Sequence, residues 1–211
     1  MDADTDTTTD APPTETGAVV VGGGIAGASA AYHLADAGVD TTLIDRADEG
    51  RATDAGAGIL APATSSRTAT DDWFRFATEA VAYYRDLDAR LGDDTGFRER
   101  ALLSVALDEA AADSFDAAVA RTRDRAERLD SPDPASLTEL DAAGARELFP
   151  PLGEVARAVR YDDAAQVDGR RFAAALREAG VDAGLRAVAG SVERILTDDG
   201  RVTGVVVDGD A

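Results

Sequence analysis

The chain has 211 residues, enough for a substantial core in one domain or one and a half. Its 41 acids face 21 bases, every base is an arginine, and the formal net charge is -20. Such a surface repels nucleic acid and anionic membrane and argues against a phosphate-backbone partner, while the lack of any cysteine excludes disulfides, thiolate catalysis and cysteine-ligated metal.

The chain opens on MDADTDTTTDAPPTETG, residues 1–17, which is acidic and Thr-rich and is expected to be a disordered tail. It lacks the basic and apolar regions of a signal peptide, and no stretch reaches the ~18–20 apolar residues of a membrane span, so the expected location is the cytoplasm. The acids continue throughout the chain, at Asp71/Asp72, Asp93/Asp94, Asp162/Asp163 and Asp198/Asp199 among others. Spread in this way, they are expected to reflect adaptation to high salt, where screening removes self-repulsion.

Ala18–Val21 reads as a fully buried parallel strand, Gly22–Gly24 as a turn, Ile25–Ala37 as a helix stopped by Gly38, and Thr41–Ile44 as a second strand. Asp48–Ala57 and Pro62–Thr70 read as loops. Trp73, Phe76, Ala77, Ala80, Tyr84 and Leu87 recur at helical spacing and predict a helix over 71–91 packed through those residues. Gly92–Gly96 ends it. A strand follows at Leu102–Leu107, a helix at Glu109–Leu129, a break at Ser131–Pro134 and a short strand at Leu137–Leu140. Asp141 and Asp168 are placed as N-caps, of a helix reaching Phe149 and of one over Arg170–Ala179, with a strand at Ala156–Tyr161 between them. Leu185–Val188 and Ser191–Leu196 read as strands, and Asp198-Asp199-Gly200 as the turn of a hairpin into Arg201–Val207.

The motif with most chemistry is Gly22-Gly23-Gly24-Ile25-Ala26-Gly27, a G-x-G-x-x-G between an apolar run and a helical pattern. Its first glycine permits the tight turn, the second lets a pyrophosphate approach the backbone, and the third lets helix and strand pack closely. The helix N-terminus then offers free N–H groups and a partial positive charge to phosphate. The second strand ends at Asp45, 23 residues beyond Gly22, where a carboxylate can accept from a ribose diol. The motif does not separate NAD from FAD. Arg46 could mark a 2′-phosphate or simply be solvated. His33, alone on the first helix, is read as a half-exposed helix residue and cannot build a histidine metal cluster.

The segment RATDAGAGILAP, Arg51–Pro62, decides between the cofactors. Its small residues allow the backbone close to a flat ring or a pyrophosphate. With the first motif it resembles the FAD-dependent amine-oxidising family of glycine oxidase, D-amino-acid oxidases and sarcosine oxidase. The strand Phe97–Leu107, with Ala101 where the family has glycine, the helix Leu140–Pro150, and Val167-Asp168-Gly169 resemble further family segments. The resemblance implies an α/β fold: a Rossmann-type FAD-binding domain with part of an inserted α+β substrate domain. Residues 18–70 would be the FAD-binding βαβ segment, 71–165 the partial substrate region, and 166–211 the return to the FAD-binding domain, incomplete at its end.

The same resemblance assigns cofactor-binding roles. Gly22, Gly24 and Gly27 would form the pyrophosphate turn, with Ile25 and Ala26 against the cofactor. Asp45, where the family usually has glutamate, would hold the adenosine ribose, with Arg46 beside it. Ala52 and Thr53 would contact phosphate. Ala57, Gly58 and Ile59 would approach the flavin through their backbones, and Val192 would face the adenine edge. The implied reaction oxidises a small amine or amino acid by hydride transfer to flavin, giving an imine that water hydrolyses. No side chain is assigned as a catalytic acid or base. The family's remaining segments, which build most of the substrate cavity, are not found after Val207, so the chain is expected to be an N-terminal portion, a truncated form or a partner of a separately encoded C-terminal half. Two other readings stand beside this one: a non-catalytic or partner-dependent FAD-binding fragment, and an NAD-dependent Rossmann dehydrogenase.

Overall fold

The apolar run Ala18–Val21 forms strand β1, which pairs in parallel with β2, Thr41–Asp45. Helix α1, Ile25–Asp36, connects them and ends at Ala37 before Gly38, whose φ of +80° suits a helix stop. The computed structural model describes residues 13–48, 51–65, 70–92, 94–130 and 132–208. Most of the expected N-terminal tail, parts of the loops at 48–57, 62–70, 92–96 and 131–134, and the last residues after Asp208 lie outside these.

The chain forms two compact units. The first comprises the described residues of Met1–Ala57, Leu91–Gly96 and Asp168–Ala211. Its sheet has the order β1-β2-β7, all parallel, with β7 at Arg186–Ala189. Ala31 and Ala35 of α1 pack with Leu43 and Leu185, and Val20 closes that cluster. Helix α6, Gly169–Asp182, begins at Asp168, whose side chain accepts from the N–H groups of Arg170 and Arg171. It buries Phe172, Ala173, Leu176 and Gly180. A Cβ on Gly180 would stand 2.8 Å from Leu185 Cδ2 and 3.5 Å from Tyr32 Cα, so a glycine there permits the close approach of α1 and α6. Strands β8, Ser191–Asp198, and β9, Arg201–Asp208, form the expected hairpin. Both turn residues, Asp199 and Gly200, have positive φ, as a two-residue turn matched to strand twist requires.

The second unit comprises the described residues of Gly58–Arg90 and Phe97–Val167. At its centre is β6, Arg157–Val167, antiparallel to β4, Phe97–Ala106, and to both β3, Ile59–Leu60, and β5, Leu137–Leu140. Pairing with β4 shifts register between Arg100 and Leu102, where β6 carries one residue more at Asp162–Asp163. The core is Phe74, Tyr161, Val159, Ala63, Leu137 and Ala164. Burial pushes the Tyr161 hydroxyl well above its ordinary pKa, with Asp163 adding to the shift.

Several expectations are corrected. Strand β1, expected to be fully buried, is half-buried and leaves Val21 56% exposed. Strand β4, expected from Leu102, begins at Phe97, where it pairs with the far part of β6. The helix α3, Asp71–Leu91, has the expected bounds but buries Phe74, Val81 and Leu87, while Trp73 and Phe76 are 41% and 69% exposed. The loop expected at Asp48–Ala57 contains a one-turn helix α2, Ala52–Ala55. Strand β6 runs six residues past Tyr161, because β4 and β3 on its two edges satisfy its backbone whatever its side chains are.

Helix α4, Glu109–Leu129, is capped by Asp108, which accepts from Ala111 N–H at 3.0 Å. Its last turns are tied to α3 by Asp71, which accepts from Arg128 Nη1 at 2.5 Å and Nη2 at 3.2 Å, with Arg125 Nε at 3.4 Å. The Arg128 hydrogen bond holds the Asp71 carboxyl below its ordinary value of 3.8. A carboxylate with a depressed folded pKa contributes stability above its unfolded pKa and loses it as pH falls through the folded one. The melting difference between wild type and Asp71→Asn is therefore expected at about pH 6 and should narrow by about pH 3. A gap that is the same at both pH values would show that Asp71 acts by something other than its charge.

A glycine-turn crevice as the candidate cofactor site

The first unit gathers its glycine-rich turn, Ala47 and Asp48 just after β2, the short helix α2 and part of α6 around one crevice of about 290 Å³. Its lining includes Gly23, Gly24, Arg51, Thr53, Asp54, Arg170 and Arg177. The turn is held by Gly22 N–H, which donates to Ile44 O at 2.8 Å. A Cβ on Gly27 would overlap Gly22 O, so α1 approaches β1 as closely as it does only with glycine there.

Gly24 is the N-cap of α1 and has no side chain to satisfy the free N–H groups of the first turn. Thr53 does this from α2: Ile25 N–H donates to its hydroxyl oxygen at 3.1 Å. Because the hydroxyl accepts there, its own proton is free to be donated to a phosphate oxygen. The Thr53 methyl lies where a Cβ on Gly169 would meet it at 3.0 Å, and its hydroxyl where a Cβ on Gly24 would meet it at 2.8 Å. One threonine thus touches both the glycine turn and the start of α6, and a side chain at either glycine would crowd it.

Asp45 points back toward the turn. A Cβ on Gly23 would stand 2.6 Å from Asp45 Oδ2, so the middle glycine of the turn, given no role from sequence, makes room for this carboxylate. Arg51 Nη2 lies 2.7 Å from Asp45 Oδ2, with the two side chains 24% and 17% exposed. This is a charge contact without hydrogen-bond alignment: Oδ2 is buried and has no hydrogen-bond donor among the described residues. A ribose hydroxyl is the kind of donor such an oxygen lacks.

Of the residues assigned from sequence, the structure brings Gly22, Gly24, Ile25, Ala26, Gly27, Asp45 and Thr53 to the turn and the ends of its flanking elements. Ala52 opens α2 and is exposed, as is Ala57 beyond it. Arg46 pairs with Asp48 and its side chain is 66% exposed, which matches the solvated alternative. Val192 lies in β8, paired with Val207 and two residues past Gly190, whose N–H donates to Asp45 O at 3.1 Å. Gly58 and Ile59 belong to the second unit: Gly58 O accepts from Val167 N–H at 2.9 Å, and Ile59 is opposite Gln166. His33 is hydrogen-bonded through Nδ1 to Ser29 O at 2.6 Å on α1. The sequence reading missed Gly23, Arg51, Arg170 and Arg177. Gly23 lies inside the glycine motif, Arg51 opens the small-residue segment and Arg170 follows Val167-Asp168-Gly169, but what each of them touches is visible only in three dimensions, and Arg177 lies in no recognised motif.

The turn, the orphaned Asp45 oxygen and the free Thr53 proton fit a dinucleotide bearing a diphosphate and a ribose diol. The family model of the FAD-dependent oxidoreductases matches residues 18–211. The chain is 36% identical over 194 residues to the uncharacterized oxidoreductase YurR of Bacillus subtilis (strain 168), covering 90% of this chain and 50% of that protein. Among solved structures, iminodiacetate oxidase (IdaA) from Chelativorans sp. BNC1 superposes with a TM-score of 0.76 at 32% identity, covering 88% of this chain and 49% of that one. Glycine oxidase from Geobacillus kaustophilus gives 0.75 at 26%, covering 92% and 51%. The chain thus spans about half the length of each of these relatives. Among the described residues no helix is long and apolar enough to cross a membrane. The match runs through the glycine turn and both units, and the chain belongs to the FAD-dependent oxidoreductase family, whose cofactor is FAD.

Proposed function

We propose that this chain is the FAD-binding part of an oxidoreductase that oxidises a small amine or amino acid at a carbon–nitrogen bond. The observation that carries the donor class is the likeness, over 88% of the chain at 32% identity, to an oxidase of iminodiacetate. The likeness to a glycine oxidase at 26% supports it. Both names specify a carbon joined to an amine and a carboxylate. In the proposal Gly22, Gly24 and the first N–H groups of α1 receive the diphosphate, with Thr53 donating to it. Asp45 accepts from the ribose, and Val192 lies at the adenine. Bound FAD supplies the hydride acceptor, and the chain's residues orient it and screen it from water. The acid-rich composition supports a working environment of high salt inside the cell.

The test is to add FAD to the chain in roughly molar potassium chloride, where the Debye length is about 3 Å, desalt into the same salt, and read the flavin absorbance. Bound flavin is then exposed without oxygen to glycine, iminodiacetate and D-alanine, with glycerol phosphate as a hydroxyl donor. Bleaching by the amino acids alone is the expected result. Bleaching by glycerol phosphate alone would overturn the donor class. One further reading is a cofactor-binding chain that turns over only together with a partner. Flavin retained but bleached by no donor is the result that reading expects.

A further inference from the structure

The crevice beside the glycine turn has a charge pattern at odds with the rest of the chain. Across the sequence the acids outnumber the bases two to one. Around this crevice the charges of the described residues pair off with one arginine left over. Arg51 faces Asp45, Arg170 Nε lies 3.0 Å from Asp54 Oδ1, and Asp48 is taken by Arg46. Arg177 also lines the crevice, and among the described residues it has no carboxylate partner.

Arg170 and Arg177 are seven residues apart on α6, two turns, so both lie on the helix face that borders the crevice. Buried Ala173 lies between them on the same wall and leaves the space beside the turn open. The start of this helix is the point where Gly169 meets Thr53, and the far wall is Gly23 and Gly24. An unmatched, half-buried guanidinium in a chain this acidic gains little by facing water. Facing a diphosphate, it can make two parallel charge-assisted hydrogen bonds.

We infer that Arg177 is a cofactor-binding residue, a guanidinium that α6 contributes to the FAD diphosphate opposite the glycine turn. The inference rests on the cofactor site proposed above. It gives α6 a binding role in addition to its packing against α1. It also offers a way for an acidic chain to hold an anionic cofactor in high salt: long-range attraction is screened there, but a direct bidentate contact survives.

The test is the dissociation constant of FAD, read from flavin fluorescence on titration in about 0.5 M potassium chloride, with screening at a Debye length of roughly 4 Å. Arg177→Gln is expected to weaken FAD by about tenfold, and Arg177→Lys, which keeps a point charge without the planar fork, by about threefold. The melting temperature of the FAD-free protein should not change, because Arg177 has no ion pair among the described residues. Arg171→Gln is the control: its residue lies on the same helix, pairs with Asp94 outside the crevice, and should leave FAD binding unaltered. Wild-type affinity in Arg177→Gln overturns the inference, and so does an equal loss in Arg171→Gln, which would mark a general charge effect. If Arg177→Gln does not fold, the Lys variant decides the matter by the same comparison. A wild-type chain that binds no FAD removes the cofactor-site proposal, and this inference falls with it.

Discussion

Gly27→Ala is expected to abolish FAD retention and to lower the melting temperature by roughly 10 °C. The added methyl would overlap Gly22 O, a backbone carbonyl inside the turn whose own N–H is bonded to Ile44 O at 2.8 Å. Neither atom is the flexible end of a side chain, so α1 must move outward from β1. Forced overpacking of this kind costs about 3 kcal/mol, and at this chain length 1 kcal/mol is worth about 2–4 °C. The same movement would swing the Ile25 N–H away from Thr53 and turn the free N–H groups of α1 away from the phosphates. Stability and binding therefore fall together. Gly22→Ala is the informative contrast. A Cβ there meets nothing within 4 Å, and only the φ of +98° opposes it. Its cost is about 1–2 kcal/mol of backbone strain, with binding impaired but measurable. Flavin absorbance after desalting and a melting curve read both variants. A Gly27→Ala protein that stays yellow and melts like wild type would show that the helix–strand approach is looser than the structure has it.

The contrast between the two glycines explains how much of the site could be read in the sequence. The β1–turn–α1–β2 layout is local: an apolar run, glycines at fixed offsets and an acid at the end of the next run are all visible along the chain, and the elements form within a residue or two of their expected bounds. The caps were legible for the same reason, since Asp141 accepts from Gly144 N–H only three residues away. What escaped depends on distant partners. Gly23 had no role of its own within the glycine motif until Asp45 stood beside it, and Arg51 only opened the small-residue segment until its guanidinium lay at that carboxylate.

Helix α3 shows a second kind of limit. It carries apolar residues on more than one face, Trp73 and Phe76 as well as Phe74 and Val81. Spacing alone cannot choose between two stripes that both recur every three or four residues. The choice is made by the core of the second unit, where Phe74 packs with Tyr161 and leaves Phe76 outside. Strand β3 shows a third limit. At two residues, it is too short for any alternation to register, and it exists because β6 pairs with it.

Gly58→Ala is expected to destabilise the second unit by about 2–4 kcal/mol, whereas Gly56→Ala, two residues earlier in the same Ala-Gly-Ala-Gly run, should be nearly neutral. Read as sequence, both are small residues of one segment, and the resemblance gives Gly58 but not Gly56 a place at the flavin. The structure separates them. Gly56 has φ of -70° and ψ of 130°, open to any residue, and a Cβ there would find its nearest neighbour, Ala52 O, at an ordinary 3.6 Å. Gly58 has φ of +64°, and a Cβ there would overlap Val167 O, at the end of the strand that pairs with β3. Its own carbonyl accepts from Val167 N–H at 2.9 Å, so the strained residue is tied at the point of collision and cannot yield without unpairing β3. The role expected from the resemblance, close backbone approach to the flavin, makes a different prediction: Gly58→Ala would weaken FAD while leaving the melting of the FAD-free protein unchanged. A melting curve recorded without cofactor therefore decides between them. A drop confined to Gly58→Ala means that this glycine is held by β6 before any cofactor arrives, and a drop shared equally with Gly56→Ala would mean that the whole segment, rather than one contact, sets the stability of this region.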